Sequence, residues 1–167
     1  MTELRIGVPN EKQRRFLLDR HRHIAYGGAR GGGKSWAVRT KAKLLALRYA
    51  GIKLLIVRRT LRELQNNHID PLRQDLAGIA KYKASDKRFE FPNGSTITFG
   101  YCACNGDMGQ YQGAEYDVVF LDEAGQLQKA WIDAINACVR GTNGLPKRTY
   151  YTLNPCLLYT SPSPRDR

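Results

Sequence analysis

Long apolar runs are missing from this chain. The longest, Leu54-Leu55-Ile56-Val57 and Val118-Val119-Phe120-Leu121, fall far short of the roughly 20 residues a membrane helix needs, so no membrane span is expected. Residues 1–22 are mostly polar and lack the apolar centre of a secretory leader. Cysteine is scarce, and Cys102-x-Cys104 has no second pair at metal-binding spacing. With Cys138 and Cys156 unpaired in pattern, reduced thiols in a cytosolic protein are expected rather than a disulfide framework. Internal repeats are absent, and His21, His23 and His68 form no ligand pattern. Acidic residues are short too, 15 against 27 basic ones, for a net charge of +12. That excess favours a polyanionic partner, nucleic acid ahead of membrane, although many of these charges also suit a solvated surface. With 42% hydrophobic and 25% charged residues, the 167-residue chain has the composition and length of one globular domain.

What is present is concentrated in His23 to Ser35, HIAYGGARGGGKS. A short strand, Ile24 to Tyr26, feeds a glycine-rich turn that opens a helix at Lys34. Gly28, Gly33, Lys34 and Ser35 satisfy G-x-x-x-x-G-K-[ST], the phosphate-binding loop, which spans Gly28, Ala29, Arg30, Gly31, Gly32, Gly33, Lys34 and Ser35. Glycines let the backbone approach a ligand with its N–H groups turned inward, and the helix N-terminus adds partial positive charge there. Lys34 reaches β- and γ-phosphates, and the Ser35 hydroxyl suits Mg²⁺. Arg30 could swing toward the γ-phosphate as a cis-acting arginine finger; a surface arginine or a local ion pair fits it equally.

The remaining elements follow from periodicity and punctuation. Asn10 and Gln13 form a capping box ahead of a helix from Glu11 to about Arg20, with Phe16 and Leu17 facing inward. A helix from Ser35 to Tyr49 has Ala37, Leu44, Leu45 and Leu47 among its apolar positions and stops at Gly51. Lys53 to Val57 reads as a buried parallel strand, and Thr60 with Glu63 caps the next helix, restarted or kinked at Pro71 and closed by Gly78. Arg88–Phe91 and Ser95–Phe99 around Pro92-Asn93-Gly94 predict a β-hairpin inserted at the sheet edge, packed in part by Cys102 and Cys104. After a polar loop or short helix at 105–116 come a strand at Asp117–Leu121, an amphipathic helix at Gln128–Arg140 and a strand at Lys147–Leu153. Strands alternating with helices predict an α/β fold, a mainly parallel sheet with helices on both faces.

Val118 to Leu121 ends in two carboxylates, Asp122 and Glu123. Open parallel sheets bind ligands at the carboxyl ends of their strands, where the phosphate loop also lies. Asp122 would hold Mg²⁺, through water, and Glu123 would orient and deprotonate an attacking water. Asp122 and Ser35 are the candidate metal residues, and Glu123, Lys34 and Arg30 the candidate catalytic ones, for hydrolysis of ATP. Arg58 and Arg59 end a strand at the same edge and are weaker candidates to act in trans between subunits.

The pairing of the two motifs resembles the additional-strand, catalytic-glutamate division of P-loop NTPases. That likeness puts the strand Lys147–Leu153 between the phosphate-loop strand and the metal-binding strand, delivering Asn154 beside the γ-phosphate; Asn154 before Pro155 is equally suited simply to turn the chain. Pro9-Asn10-Glu11-Lys12-Gln13, GGARGGGKS, Val57-Arg58-Arg59-Thr60, FPNGSTITFG, YQGAEYDVVFLDEAGQL and YTLNP occur in one order, and together they resemble the large subunit of tailed-phage terminases across residues 9 to 155. The resemblance implies an ATPase that drives double-stranded DNA into a procapsid in the cytoplasm of an infected bacterium. Its implied partners are a terminase small subunit, a portal protein and further copies of itself in a ring, with no membrane. Gln13 would contact adenine, and Asn154 would belong to the motif coupling hydrolysis to movement. DNA contacts through phosphate would be indifferent to base sequence. The family's nuclease domain, with its carboxylate cluster, has no counterpart in this sequence. A helicase-like ATPase would show stacking aromatics and further motifs that are not recognisable here. A nucleotide-dependent assembly module is disfavoured by Glu123.

The tail, CLLYTSPSPRD from Cys156 to Asp166, resembles one reading frame of a transposase-based sequencing adapter. On that reading residues 1–155 are the native, C-terminally incomplete ATPase domain and 156–167 are foreign to it. Without the tail 25 basic and 14 acidic residues remain, a net +11, so the charge argument stands. Deleting 156–167 is expected to leave the melting temperature unchanged in a thermal scan. A drop of several degrees would show that the tail is packed and belongs to the protein.

Overall fold

Four apolar residues in a row, Leu54 to Val57, leave no side free for water, so a strand built from them needs cover on both faces. In the computed structural model, which describes residues 3–4, 6–29 and 33–154, that strand is β2 (Lys53–Arg58), inside one seven-stranded sheet. The order is β1 (His23–Gly27), β7 (Arg148–Leu153), β6 (Val118–Leu121), β2, β5 (Thr96–Tyr101), β4 (Arg88–Glu90) and β3 (Lys81–Lys83). From β1 to β5 the neighbours run parallel, whereas β4 and β3 run antiparallel. β7 therefore lies between β1 and β6, where the additional strand is expected. Gly27 faces Leu153, and Leu121 faces Tyr151. Residues 28, 122 and 154 thus leave the sheet at one edge.

Alternation sorts the strand residues into two cores. Leu54, Ile56, Val118 and Phe120 join one; Leu55, Val57, Val119 and Leu121 join the other. The first is covered by α1 (Glu11–Leu18), α2 (Lys34–Arg48) and the helical segment 61–75. At its centre the Phe120 ring stacks on Tyr150 at 4.8 Å and 14°, and Phe16 meets Tyr150 edge-on at 5.1 Å. The second is covered by α5 (Lys129–Asn136) and the 3₁₀ turn Asn105–Tyr111, through Trp131, Ile135 and Tyr111. Helices on both faces match the expected α/β class.

Both expected capping boxes form, Asn10 with Gln13 and Thr60 with Glu63. The segment after Thr60 resolves into α3 (Leu61–Leu64), a π turn at Gln65–Ile69, and α4 (Asp70–Asp75). Pro71 explains the π turn. Its ring has no N–H and collides with the carbonyl four residues back, that of Asn67, if α geometry continues. The π turn widens the backbone at this point, and Arg39 Nη1 donates to the displaced Asn67 carbonyl.

Several expectations are corrected. The hairpin forms at the β5–β4–β3 end of the sheet, but β5 also pairs with β2 over six positions and buries Ile97 and Phe99, so only β4 and β3 lie outside the parallel core. β3, with the charged sequence KYK, carries no apolar alternation and was missed. α5 ends at Asn136, not Arg140, because Tyr116 N donates to the Cys138 carbonyl and Arg140 N to the Tyr116 carbonyl, drawing that stretch alongside residue 116. Strand β6 starts at Val118, one residue after Asp117. Cys104 is exposed, while Cys102 is buried beside Tyr111. On α2 the buried face is Ala37, Val38, Ala42, Leu45 and Ala46, with Leu44 and Leu47 37% and 43% exposed. Small residues let this helix lie close to the sheet, and the larger leucines fall at its margin. Arg30, Gly31, Gly32 and the tail lie outside the described residues.

Leu45→Ala is therefore expected to cost about 2–5 kcal/mol in urea unfolding, by cavity formation. Leu47→Ala should stay within about 0.5 kcal/mol of the parent protein. Equal costs would contradict this packing.

Candidate active site

The phosphate loop begins as β1 ends and closes at Gly33, the N-cap of α2. Gly33 has φ +74°, a conformation that favours glycine, and a Cβ there would lie 2.3 Å from Gln13 Nε2, so a larger residue would also push the glutamine tip aside. Gln13 uses its amide twice: Oε1 accepts from Asn10 N at 2.9 Å, and Nε2 donates to the Gly33 carbonyl at 3.1 Å. The cap of α1 is thereby tied to the loop. Lys34 is buried, and its Nζ donates to the carbonyls of Gly28 at 2.6 Å and Ala29 at 2.9 Å. The ammonium group is held within the curve of the loop. Arg30, the candidate finger, falls outside the described residues, as do Gly31 and Gly32.

Asp122 is the centre of the arrangement. It is 1% exposed, follows β6 directly, and its N–H donates to the Val57 carbonyl at 2.9 Å. Oδ2 accepts from Ser35 Oγ at 3.0 Å, Arg58 Nη1 at 2.9 Å and His68 Nε2 at 2.7 Å. Oδ1 accepts from Thr152 Oγ1 at 2.5 Å. Burial by itself would push this carboxyl up. The hydrogen bonds from His68 and Thr152 and the charge of Arg58 outweigh it and hold the group well below the usual carboxylate range. His68 is also fully buried, and burial pushes its ring down while the neighbouring carboxylate opposes that shift. Among the described residues its Nδ1 has no hydrogen-bond partner, and Nε2 is the ring nitrogen that faces Asp122.

Glu123 follows in the left-handed region, φ +54°, a conformation that costs a non-glycine residue roughly 1–3 kcal/mol and is concentrated at functional sites. Its N–H donates to Thr152 Oγ1 at 2.8 Å, so one hydroxyl on β7 orders both carboxylate residues. The Glu123 carboxylate accepts from Gln126 Nε2 at 2.8 Å, lies 3.8 Å from Arg58 Nη1, and is 23% exposed. It therefore reaches solvent while Asp122 does not. Asn154 continues from β7 at the same edge and is half-buried.

Sequence reasoning assigned Lys34, Ser35, Asp122 and Glu123, and these four residues share one edge of the sheet. It did not find His68, Thr152 or Gln126. His68 carried no metal-type spacing, and only the fold brings it to Asp122; Thr152 lay inside the YTLNP string without a role attached. Arg58 is corrected: it is 6% exposed and bound to Asp122, with Glu63 a further 3.7 Å neighbour, so it is not displayed to another subunit. Arg59 alone of that pair is exposed.

A hydroxyl and a carboxylate 3.0 Å apart are hard oxygen donors of the kind Mg²⁺ takes. Asp122 Oδ2 already accepts three donors, so a hydrated ion reached through water would fit without displacing Arg58 or His68. Among the described residues no cluster of three or more His, Cys, Asp or Glu could hold a metal. Remaining ligands would come from phosphate and water.

Removing the Asp122 carboxylate strands three buried donors. Asp122→Ala is expected to cost about 3–5 kcal/mol in urea unfolding without nucleotide. Glu123→Gln, at a partly solvated side chain, should cost less than about 1 kcal/mol. Equal effects would show that Asp122 is not the structural centre.

Comparison with known proteins agrees with this geometry. The family model described as terminase large subunit, T4likevirus-type, N-terminal, matches residues 25–156. No match was found among curated protein sequences. The large terminase of a thermophilic bacteriophage is similar in fold, with TM-score 0.70 and 16% identity over 86% of this chain and 38% of that one. The same protein in complex with ADP and with ATP-γ-S matches at TM-scores of 0.67 and 0.66. The large terminase ATPase domain of Thermus phage P74-26 matches at 0.68, with 16% identity over 87% of this chain and 64% of that one. The N-terminal domain of the DNA packaging ATPase of bacteriophage phi29 matches at 0.59, with 16% identity over 95% and 89%. This chain thus spans well under half of the thermophilic phage's large terminase. The match of the family model across most of its length shows that the chain belongs to the terminase large subunit family, in its N-terminal region.

Proposed function

We propose that this chain is the ATP-hydrolysing part of a DNA-packaging motor, translocating double-stranded DNA into a phage procapsid. The observation that carries the reading is the 3.0 Å approach of Ser35 to Asp122, with Glu123 next in the chain and reaching solvent. Binding and hydrolysis need these groups together.

The roles follow from position. Backbone N–H groups of residues 28–33 and the start of α2 cradle the phosphates, and Lys34 leaves its carbonyl partners for the β- and γ-phosphates. Ser35 and Asp122 would hold Mg²⁺, which when bound neutralises charge building on the phosphates. Glu123 orients water in line with the γ-phosphate and takes its proton. Gln13 keeps one amide hydrogen and one carbonyl lone pair beyond its present bonds, and these can meet the adenine edge. Asn154, at the end of β7, senses whether the γ-phosphate is present, and Arg30 supplies charge to it as the reaction proceeds. Residues 1–155 are the part of the ATPase domain that carries these roles. Duplex DNA, a small subunit, a portal protein and further copies in a ring are its partners, in the cytoplasm of the infected host.

A steady-state ATPase assay, with and without duplex DNA, tests the reading alongside two variants. Lys34→Ala should abolish ATP binding. Glu123→Gln should keep binding and lose turnover by at least ~100-fold, the scale of a general base. Equal loss of binding in both variants would remove the role given to Glu123. Stimulation by single strands alone would point to a helicase-like enzyme.

A further inference from the structure

Among the buried residues on the segment 61–75, one does not match its neighbours. Leu64, Ile69 and Leu72 are apolar and fully buried, as a helix against a sheet requires, and His68 between them is equally buried. Packing alone would be met by another aliphatic residue. A histidine here leaves Nδ1 without a partner among the described residues, a desolvation cost that an aliphatic side chain would not carry. Its one side-chain hydrogen bond among the described residues is Nε2 to Asp122 Oδ2 at 2.7 Å.

The backbone that presents it is equally specific. His68 lies within the π turn Gln65–Ile69, and such turns insert one residue and re-aim the side chains around it. The turn is secured from the phosphate-loop helix. Arg39 of α2, one helical turn beyond Ser35, donates to the Asn67 carbonyl, and Lys43, one turn further, pairs with Asp75 at 2.8 Å. The helix that starts at the phosphate loop therefore holds the π turn at the point where His68 meets Asp122.

We propose that His68 is the positioning residue of the candidate Mg²⁺ site, fixing the Asp122 carboxylate so that Oδ2 faces the Ser35 hydroxyl. Arg58 also binds Oδ2, but it arrives from the end of β2, whereas His68 supplies its donor from the π turn that α2 secures. Partners of this kind behind a metal ligand are worth roughly 10–100-fold in metal affinity. The inference rests on the reading of Asp122 as a Mg²⁺ residue.

The test is binding of a fluorescent ADP analogue to the full chain, in Mg²⁺ and in EDTA, for the parent, His68→Leu and His68→Gln. The glutamine amide can supply the N–H; leucine cannot. His68→Leu is expected to lose at least ~10-fold of the affinity that Mg²⁺ adds, with EDTA binding unchanged, and His68→Gln to recover most of it. Should His68→Leu fail to fold by circular dichroism, His68→Asn replaces it, its amide being too short to reach Oδ2. The inference is overturned if the leucine or asparagine variant keeps the full Mg²⁺ effect, loses affinity equally in EDTA, or is matched by His68→Gln. A parent protein whose affinity Mg²⁺ does not raise would instead remove the metal role of Asp122 itself.

Discussion

A carboxylate sealed from water stays ionised only if donors replace its hydration, and at Asp122 four segments supply them. Ser35 comes from the phosphate-loop helix, Arg58 from the end of β2, His68 from the π turn and Thr152 from β7. Each depends on a different feature of the fold. Arg58 reaches Asp122 because β2 and β6 are neighbours with Val57 opposite Leu121. Thr152 reaches it because β7 lies on the other side of β6. His68 requires Pro71 to open the helix, and Ser35 requires α2 to begin at Gly33. The strand order is thus a condition of the site as well as of the core.

Glu123 shows the complementary requirement. It is held in a left-handed turn by a backbone bond to Thr152, and its carboxylate reaches solvent beside Gln126. Two adjacent acids are thereby given opposite environments, one buried and fully bonded, the other open to water. That division leaves one carboxylate fixed by buried donors and the other accessible to water. At the other end of the loop, Gln13 links the α1 cap to Gly33, so displacement of the loop is felt by the N-terminal helix.

Much of this was legible before the structure because it is written in short patterns. The phosphate loop, the two capping boxes, and the apolar strand running into Asp122 and Glu123 each lie within a dozen residues, where glycine placement, capping and hydrophobic periodicity act locally. The place of β7 between β1 and β6 came from the likeness to the additional-strand NTPases and stands in the structure. What escaped was non-local. His68 and Arg58 lie 54 and 64 residues from Asp122, and neither spacing carries any signal. β5 was misplaced because a tight Asn-Gly turn marks a hairpin without saying which arm joins the parallel sheet. On α2 the apolar positions alone did not say which of them face the sheet: Leu45 is buried with the alanines, while Leu44 and Leu47 lie at the margin.

The account turns on Ser35 and Asp122 sharing one cation beside a nucleotide in the phosphate loop. A crystal of the chain grown with Mn²⁺ and a non-hydrolysable ATP analogue tests this by anomalous scattering. The account predicts one manganese peak between Ser35 Oγ, the Asp122 carboxylate and the β- and γ-phosphates, with His68 still bonded to Asp122. A peak elsewhere, or nucleotide bound with no metal near Asp122, would contradict it.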